Sequence, residues 1–387
     1  MRCIIFIAVL LSSTTTFSQN RSVKYRVTPW LYNKDAAVSL TFDDWMSSQI
    51  NNAFPMLMKM KFSATLFVNT KKITNWNDLV KACENGFEIA NHTKTHSSLP
   101  ALNDAQIKEE VGGARELIGQ SNKNRFPVTF AYPGGGDGKV INSEQNIHAI
   151  LMNYCIGARD VGSSPYPFNL EFWGPQPFTN DNYFKIGSQI ITDSGPSIQE
   201  FNSILDTAIL HHGWYVICYH GIGGEWISTN TSNFQAQLNA LEQKKARLWI
   251  TTFKAALCYH KERHCQKLEV ISENADSLKL NLTDTLSDNA VFNQALTIRM
   301  KNPSRKIHSI SQGSINVPFL TGKDTIQFNV VPDAGMIILK YAKIRGAGHL
   351  KKQDRKNGST RYYPIRKVAK AKNIVTRKDK SLFKNHH

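Results

Sequence analysis

No stretch of this sequence is apolar for long enough to cross a bilayer, which takes about 20 residues; the longest early run, Ile4 to Leu11, is far shorter. No two of the six cysteines have CxxC spacing, so a cysteine-based zinc or thioredoxin-like redox centre is not indicated. Cys3 lies ahead of the early apolar run, and the remaining five cysteines are an odd number that spells no disulfide framework. Cys155 and Cys218 sit inside apolar runs, where a buried free thiol is the ordinary reading. There is no internal repeat. Acidic residues are scarce at one end: from Lys343 onward fifteen Lys and Arg face only Asp354 and Asp379. That segment carries thirteen of the seventeen net positive charges. The rest of the chain is close to balanced, so its charge does not single out a polyanionic substrate.

Arg2, the apolar run and the small-x-small site Thr16-Phe17-Ser18 read as a secretion signal over residues 1–18, and imply export to the periplasm or beyond. Over 19–265, short apolar runs alternate with helical patterns. The runs are Val38–Phe42, Ala64–Val68, Phe87–Asn91, Val128–Tyr132, Tyr154–Ala158, Trp214–Tyr219 and Leu248–Thr252. Near-continuous apolarity suits strands covered on both faces, and the alternation predicts an α/β barrel or doubly wound sheet. Asn103 is placed to cap a helix, and Gly86 and Gly213 to end two others. Over 266–342 the period changes to two, as in Leu278/Leu280/Leu282 and Ile326/Phe328/Val330. This predicts a small antiparallel, sandwich-like β domain. Residues 343–387 lack apolar periodicity and read as a disordered basic tail, a candidate for contact with anionic glycans or surfaces. No specific nucleic-acid partner is indicated.

Several strand candidates end in residues capable of chemistry. Val38–Phe42 runs into Asp43-Asp44, Phe87–Asn91 into His92 with His96 four residues on, Val128–Tyr132 into Pro133-Gly134-Gly135-Gly136, and Trp214–Tyr219 into His220-Gly221. Active sites of parallel α/β folds assemble at this rim. Each motif alone has an ordinary explanation as a cap, a solvated pair, a core histidine or a loop. Together they supply two imidazoles and a carboxylate for a metal, with a second carboxylate and a further histidine beside them. The His-x3-His spacing is expected to stack both rings on one face of a helical turn.

These motifs resemble those of the polysaccharide deacetylases with a NodB-type domain, carbohydrate esterase family 4. Thr41-Phe42-Asp43-Asp44, His92-Thr93-Lys94-Thr95-His96, Phe130-Ala131-Tyr132-Pro133-Gly134-Gly135 and Tyr219-His220-Gly221 occur in that family's order. The resemblance implies a distorted (β/α)7 barrel that removes N- or O-acetyl groups from a carbohydrate polymer with a divalent metal. It implies that Asp44, His92 and His96 hold the metal, for which zinc suits two imidazoles and a carboxylate. By the same resemblance, Asp43 is the general base and His220 the general acid, while a backbone N–H near Gly134, with Tyr132, supports the oxyanion.

Two positions depart from the pattern. Ala131 stands where the family often has an Arg that steadies the base, and Arg159 is a candidate substitute, with a surface ion pair as the alternative. Trp45 follows the Asp pair where Gly is usual; with Trp173 and Trp226 it is a candidate sugar platform, although each Trp also suits a core. Two rival readings stay open: an amidase acting on a small or cyclic amide, and a non-catalytic carbohydrate-binding protein on the same barrel.

Overall fold

The computed structural model describes residues 25–134, 139–161, 180–301 and 305–342. The signal segment, Trp173 and the basic tail lie outside the described residues. Strand β1 (Tyr25–Val27) is followed by seven parallel strands: β2 (Ala36–Asp43), β3 (Thr65–Val68), β4 (Glu88–Asn91), β5 (Thr129–Ala131), β6 (Gly157–Val161), β7 (Ile186–Ile190) and β8 (Trp214–Tyr219). Each of the seven pairs with the next, and β2 closes the ring by bonding to both β8 and β3. A further strand, β9 (Leu248–Ile250), lies along the first residues of β2, Ala36–Val38, while β3 pairs only with its last, Thr41–Asp43. One edge of β2 is thus shared between two strands, and the (β/α)7 barrel is distorted there.

The strands are buried because helices cover them. Val38, Leu40 and Phe42 turn outward, and Phe42 packs against Phe54 and Phe234 of two covering helices, Phe54–Met60 and Thr231–Lys244. Period two then turns Ser39, Thr41 and Asp43 into the barrel. There Trp214 Nε1 donates to Ser39 Oγ at 3.0 Å. Helix Asp104–Lys108 begins at Asn103, whose side chain and that of Gln106 cap each other's backbone N–H; Ser197 and Glu200 do the same for helix Ile198–Leu210.

Two strands differ from the sequence reading. The strand expected at Tyr154–Ala158 is β6, three residues later, because Tyr154 and Cys155 still bond back to Leu151 at the end of helix Glu144–Leu151. β7 was not anticipated, since Gly187, Ser188 and Gln189 interrupt its apolar run.

The second part of the fold is two antiparallel sheets. One contains β10 (Lys267–Glu273), β11 (Ser277–Thr283), β17 (Ile337–Tyr341), β13 (Ile307–Gln312) and β14 (Ile315–Asn316), in that order. The other runs β1, β12 (Leu296–Lys301), β16 (Thr325–Val330) and β15 (Phe319–Thr321). Their alternating apolar residues meet in one core that continues into the lower end of the barrel. β1, which precedes the barrel in sequence, therefore belongs to the second part. Tyr259 of helix Phe253–Cys265 marks the junction: its hydroxyl donates to Thr28 O at 2.9 Å, and Thr28 N donates to Thr297 O at 2.9 Å. Among the described residues no helix is long and apolar enough to cross a membrane.

Candidate active site

Because the barrel strands are parallel, their C-terminal ends share one rim, and the residues singled out in the sequence gather there. Asp43 ends β2 and Asp44 follows it with φ +77°. His92 follows β4, and His220 follows β8. Asp44, His92 and His96 each bring a ligand atom within 4.8 Å of the other two. Asp44 Oδ1 lies 3.3 Å from His96 Nε2 and 3.8 Å from His92 Nε2. It is buried and has no hydrogen-bond partner. A buried carboxylate oxygen without a hydrogen-bond partner between two imidazoles is costly unless a cation partners it. His92 also fits this role, since its Nδ1 lies 2.9 Å from Ala131 O. Donation there leaves the Nε2 lone pair facing Asp44. These three residues suit a divalent metal.

His92 and His96 do not share a helical turn. They flank a loop in which Thr93 and His96 both have positive φ, +65° and +66°. Side chains hold this loop: Thr93 N donates to Asn91 Oδ1, His96 N to Thr93 Oγ1, and Lys94 N and Thr95 N to Glu110 Oε2. Glu110 lies on a π-turn, Glu109–Gly113, inside the covering helix. The rings still converge, with centroids 4.9 Å apart.

Asp43 sits beside this group, wholly buried. Arg159 Nη2 donates to Asp43 Oδ1, and Arg159 is itself 0% exposed and lies over the Phe67 ring at 5.0 Å. Ala131 on β5 and Arg159 on β6 are register partners. The guanidinium therefore reaches the carboxylate from the strand next to the one that carries the family's Arg. Asp43 Oδ2 faces His92 Nε2 at 3.9 Å and His220 Nε2 at 4.0 Å. Burial pushes the Asp43 carboxyl upward, but the charges of Arg159, His92 and His220 outweigh it and hold the group at about 2. Burial lowers His220, partly offset by Asp43 and Asp44.

The remaining candidates divide. Trp226 is 59% exposed and stands edge-on to His220, ring centroids 5.2 Å apart. Its loop turns tightly at Gly221, where a Cβ would lie 2.0 Å from Gly224 O. Trp45, by contrast, is 5% exposed and packs on Phe54 in the core, so it does not present a face to a sugar. Gly134 and Tyr132 line a cavity of about 410 Å3 with Asp160, Asn142 and Phe184.

Comparison with known proteins bears on the part of the rim that carries Asp43, Asp44, His92 and His96. A family model described as polysaccharide deacetylase matches residues 32–149. This chain resembles the polysaccharide deacetylases. It is 26% identical over 106 residues to "Putative polysaccharide deacetylase YxkH" of Bacillus subtilis (strain 168), a match covering 26% of this chain and 38% of that protein. Of a second Bacillus subtilis relative, "Uncharacterized protein YlxY", it spans 30%, at 29% identity over 98 residues and 25% of this chain. Among solved structures, a family 4 carbohydrate esterase from Streptomyces lividans in complex with acetate is 18% identical, with TM-score 0.38, over 56% of this chain and 91% of that one.

Three residues of the rim were not legible in the sequence. Gln49 Nε2 donates to the backbone oxygens of Asp43 and His220, at 2.6 and 3.0 Å, tying β2 to β8. Lys72 Nζ lies 3.4 Å from Asp44 Oδ2. Cys218 Sγ lies 3.5 Å from Asp43 Oδ2 and 4.0 Å from His220 Nδ1. Only Cys218 carried a signal: two residues before His220 on a strand, it shares that residue's inward face.

Proposed function

We infer that this protein is an exported, metal-dependent hydrolase that removes acetyl groups, N-acetyl in preference to O-acetyl, from a carbohydrate polymer or oligosaccharide. The observation that carries the reading is Asp43 Oδ2, a buried carboxylate oxygen facing the Asp44–His92–His96 group on one side and His220 on the other. A carboxylate held at about 2 is a weak base toward ordinary water. A divalent cation on Asp44, His92 and His96, for which zinc suits the donor set, supplies Lewis acidity that makes water easier to deprotonate and the acetyl carbonyl easier to attack.

The protein's own groups then divide the work. Arg159 fixes Asp43 Oδ1, so Oδ2 is the oxygen that takes the proton from the attacking water. His220 Nε2, 4.0 Å away, receives a proton and delivers it to the leaving amine or alcohol. Burial keeps the resting ring neutral, so its proton arrives during the reaction. The Gly134 N–H is assigned to the developing oxyanion, where a donor is worth roughly 3–4 kcal/mol. Trp226 offers its exposed face to a sugar ring. The reading of residues 1–18 as a secretion signal supports work outside the cytoplasm.

The test is acetate release from a panel of acetylated oligosaccharides by zinc-loaded and chelated protein. Loaded protein should release acetate and chelated protein should not; equal activity in both overturns the metal assignment. Ala at Asp44, His92 or His96 should lower metal content and turnover together. Asp43→Asn should keep the metal and lose turnover by about 100-fold or more.

A further inference from the structure

Cys218 is not needed by the chemistry above, yet it sits within it. Its sulfur, a carboxylate oxygen of Asp43 and a ring nitrogen of His220 all lie within 4.8 Å of one another, and all three side chains are buried. A tetrahedral zinc, with bonds of about 2.3 Å to sulfur and about 2.0–2.1 Å to nitrogen or oxygen, separates its ligand atoms by about 3.3–3.6 Å. The Sγ–Oδ2 distance is already 3.5 Å, while His220 approaches Cys218 through Nδ1 and Asp43 through Nε2, each at 4.0 Å, so a rotation of the imidazole with a small inward shift would bring a single ring nitrogen to both. The register explains the grouping: Cys218 pairs with Thr41, two residues before Asp43, and all face into the barrel.

We propose that Asp43, Cys218 and His220 form a second, inhibitory cation site, selective for thiophilic divalent ions such as zinc, cobalt or cadmium, beside the Asp44–His92–His96 group. A cation there would occupy the Asp43 oxygen that accepts the proton and a nitrogen of the histidine that returns it. On binding, the Cys218 S–H bond breaks, its proton goes to solvent, and the thiolate becomes the third ligand. The charge of Arg159, held against Asp43, opposes an incoming cation and makes this the weaker site. It therefore fills only after the first site. Asp43 lies between the two groups, its Oδ2 3.9 Å from His92 Nε2. Adjacent cations about 3.5–4 Å apart are an ordinary enzyme arrangement. Excess zinc then acts as a brake on an enzyme that the first equivalent activates.

The cation-binding part stands on geometry, while the inhibitory part rests on the deacetylase reading; the experiment separates them. Full-length apo protein is titrated with Co2+ and followed in the near ultraviolet, where a thiolate ligand gives a charge-transfer band that nitrogen and oxygen ligands do not. The first equivalent should bind without the band and the second should produce it. Cys218→Ser should bind the first equivalent and lose both the second and the band. His220→Ala, read in the same way, serves if the Ser variant does not fold. A band absent at two equivalents, or one that persists in Cys218→Ser, overturns the site. Where acetate release is measurable, the wild type should lose about 100-fold in turnover between one and two equivalents. In Cys218→Ser the ratio of those two activities should stay near one. Absence of any acetate release would strike the proposed function and leave the spectroscopic result standing.

Discussion

Asp43 depends chiefly on one side chain for its charge. Arg159 is fully buried, and removing it leaves an uncompensated carboxylate inside the barrel, which typically costs 3–5 kcal/mol. Arg159→Ala should therefore lower the unfolding temperature and move the base limb of the kcat/KM profile to higher pH, because the lost cation no longer holds the carboxyl down. The register pair offers a stricter check. Ala131 lies directly across from Arg159, so the double variant Ala131→Arg/Arg159→Ala returns a guanidinium from the neighbouring strand, and the limb should move back toward its original position. A limb that stays displaced in a folded double variant would mean that the route of the cation matters as well as its charge. At this scale the sequence was informative where a residue ends a strand. Asp43, Asp44, His92 and His220 were legible because a short apolar run stops at each. Gln49 and Lys72 were not, since each reaches the site from outside a strand and nothing local marks its target.

At the scale of elements, the loops and not the strands hold the surprises. The His-x3-His spacing suggested a helical turn, but three positive-φ residues, Asp44, Thr93 and His96, shape the candidate metal group instead. Spacing alone does not separate the two, because the side chains of neighbouring Asn91 and distant Glu110 accept the backbone N–H groups that a helix would satisfy with its own carbonyls. Exposure separates the tryptophans in the same way. Trp45→Ala should lower stability by about 3–5 kcal/mol through the cavity it leaves. Trp226→Ala should leave the unfolding temperature within error and raise KM for oligosaccharides several-fold. Denaturation curves and kinetics on both variants check this; an unaltered KM in Trp226→Ala would remove it from the substrate platform. β7 was not legible because Gly187, Ser188 and Gln189 interrupt its apolar run, Ser188 Oγ instead donating to Asp160 O at 2.8 Å.

Across the whole molecule, barrel and sheets share one core, and a buried carboxylate records it. Glu262, on the helix Phe253–Cys265, accepts Gln294 N at 3.0 Å, and burial raises it from 4.5 to about 8. Between those values the native state holds a proton that the unfolded chain releases. The stability that Glu262 contributes should thus be fully present below about pH 4.5 and be lost as pH rises toward about 8. Glu262→Gln keeps an acceptor for Gln294 and should flatten that part of the profile; thermal unfolding at about pH 5 and about pH 8 measures it. The period-two runs made the sheets legible, whereas the joining of β1 to β12 was not, being a contact between segments some 270 residues apart. Trp30, Trp214, Trp249 and Tyr259 close the floor of the barrel with centroids 5.4–6.4 Å apart, against the strand pair that β1 completes. For recombination this sets the smallest exchangeable cassette. A fragment trimmed to residues 28–265 would carry an uncovered aromatic underside and should aggregate on expression. Grafts and purification handles belong instead at exposed turns of the sheets, such as Lys323-Asp324, where insertion leaves that floor sealed.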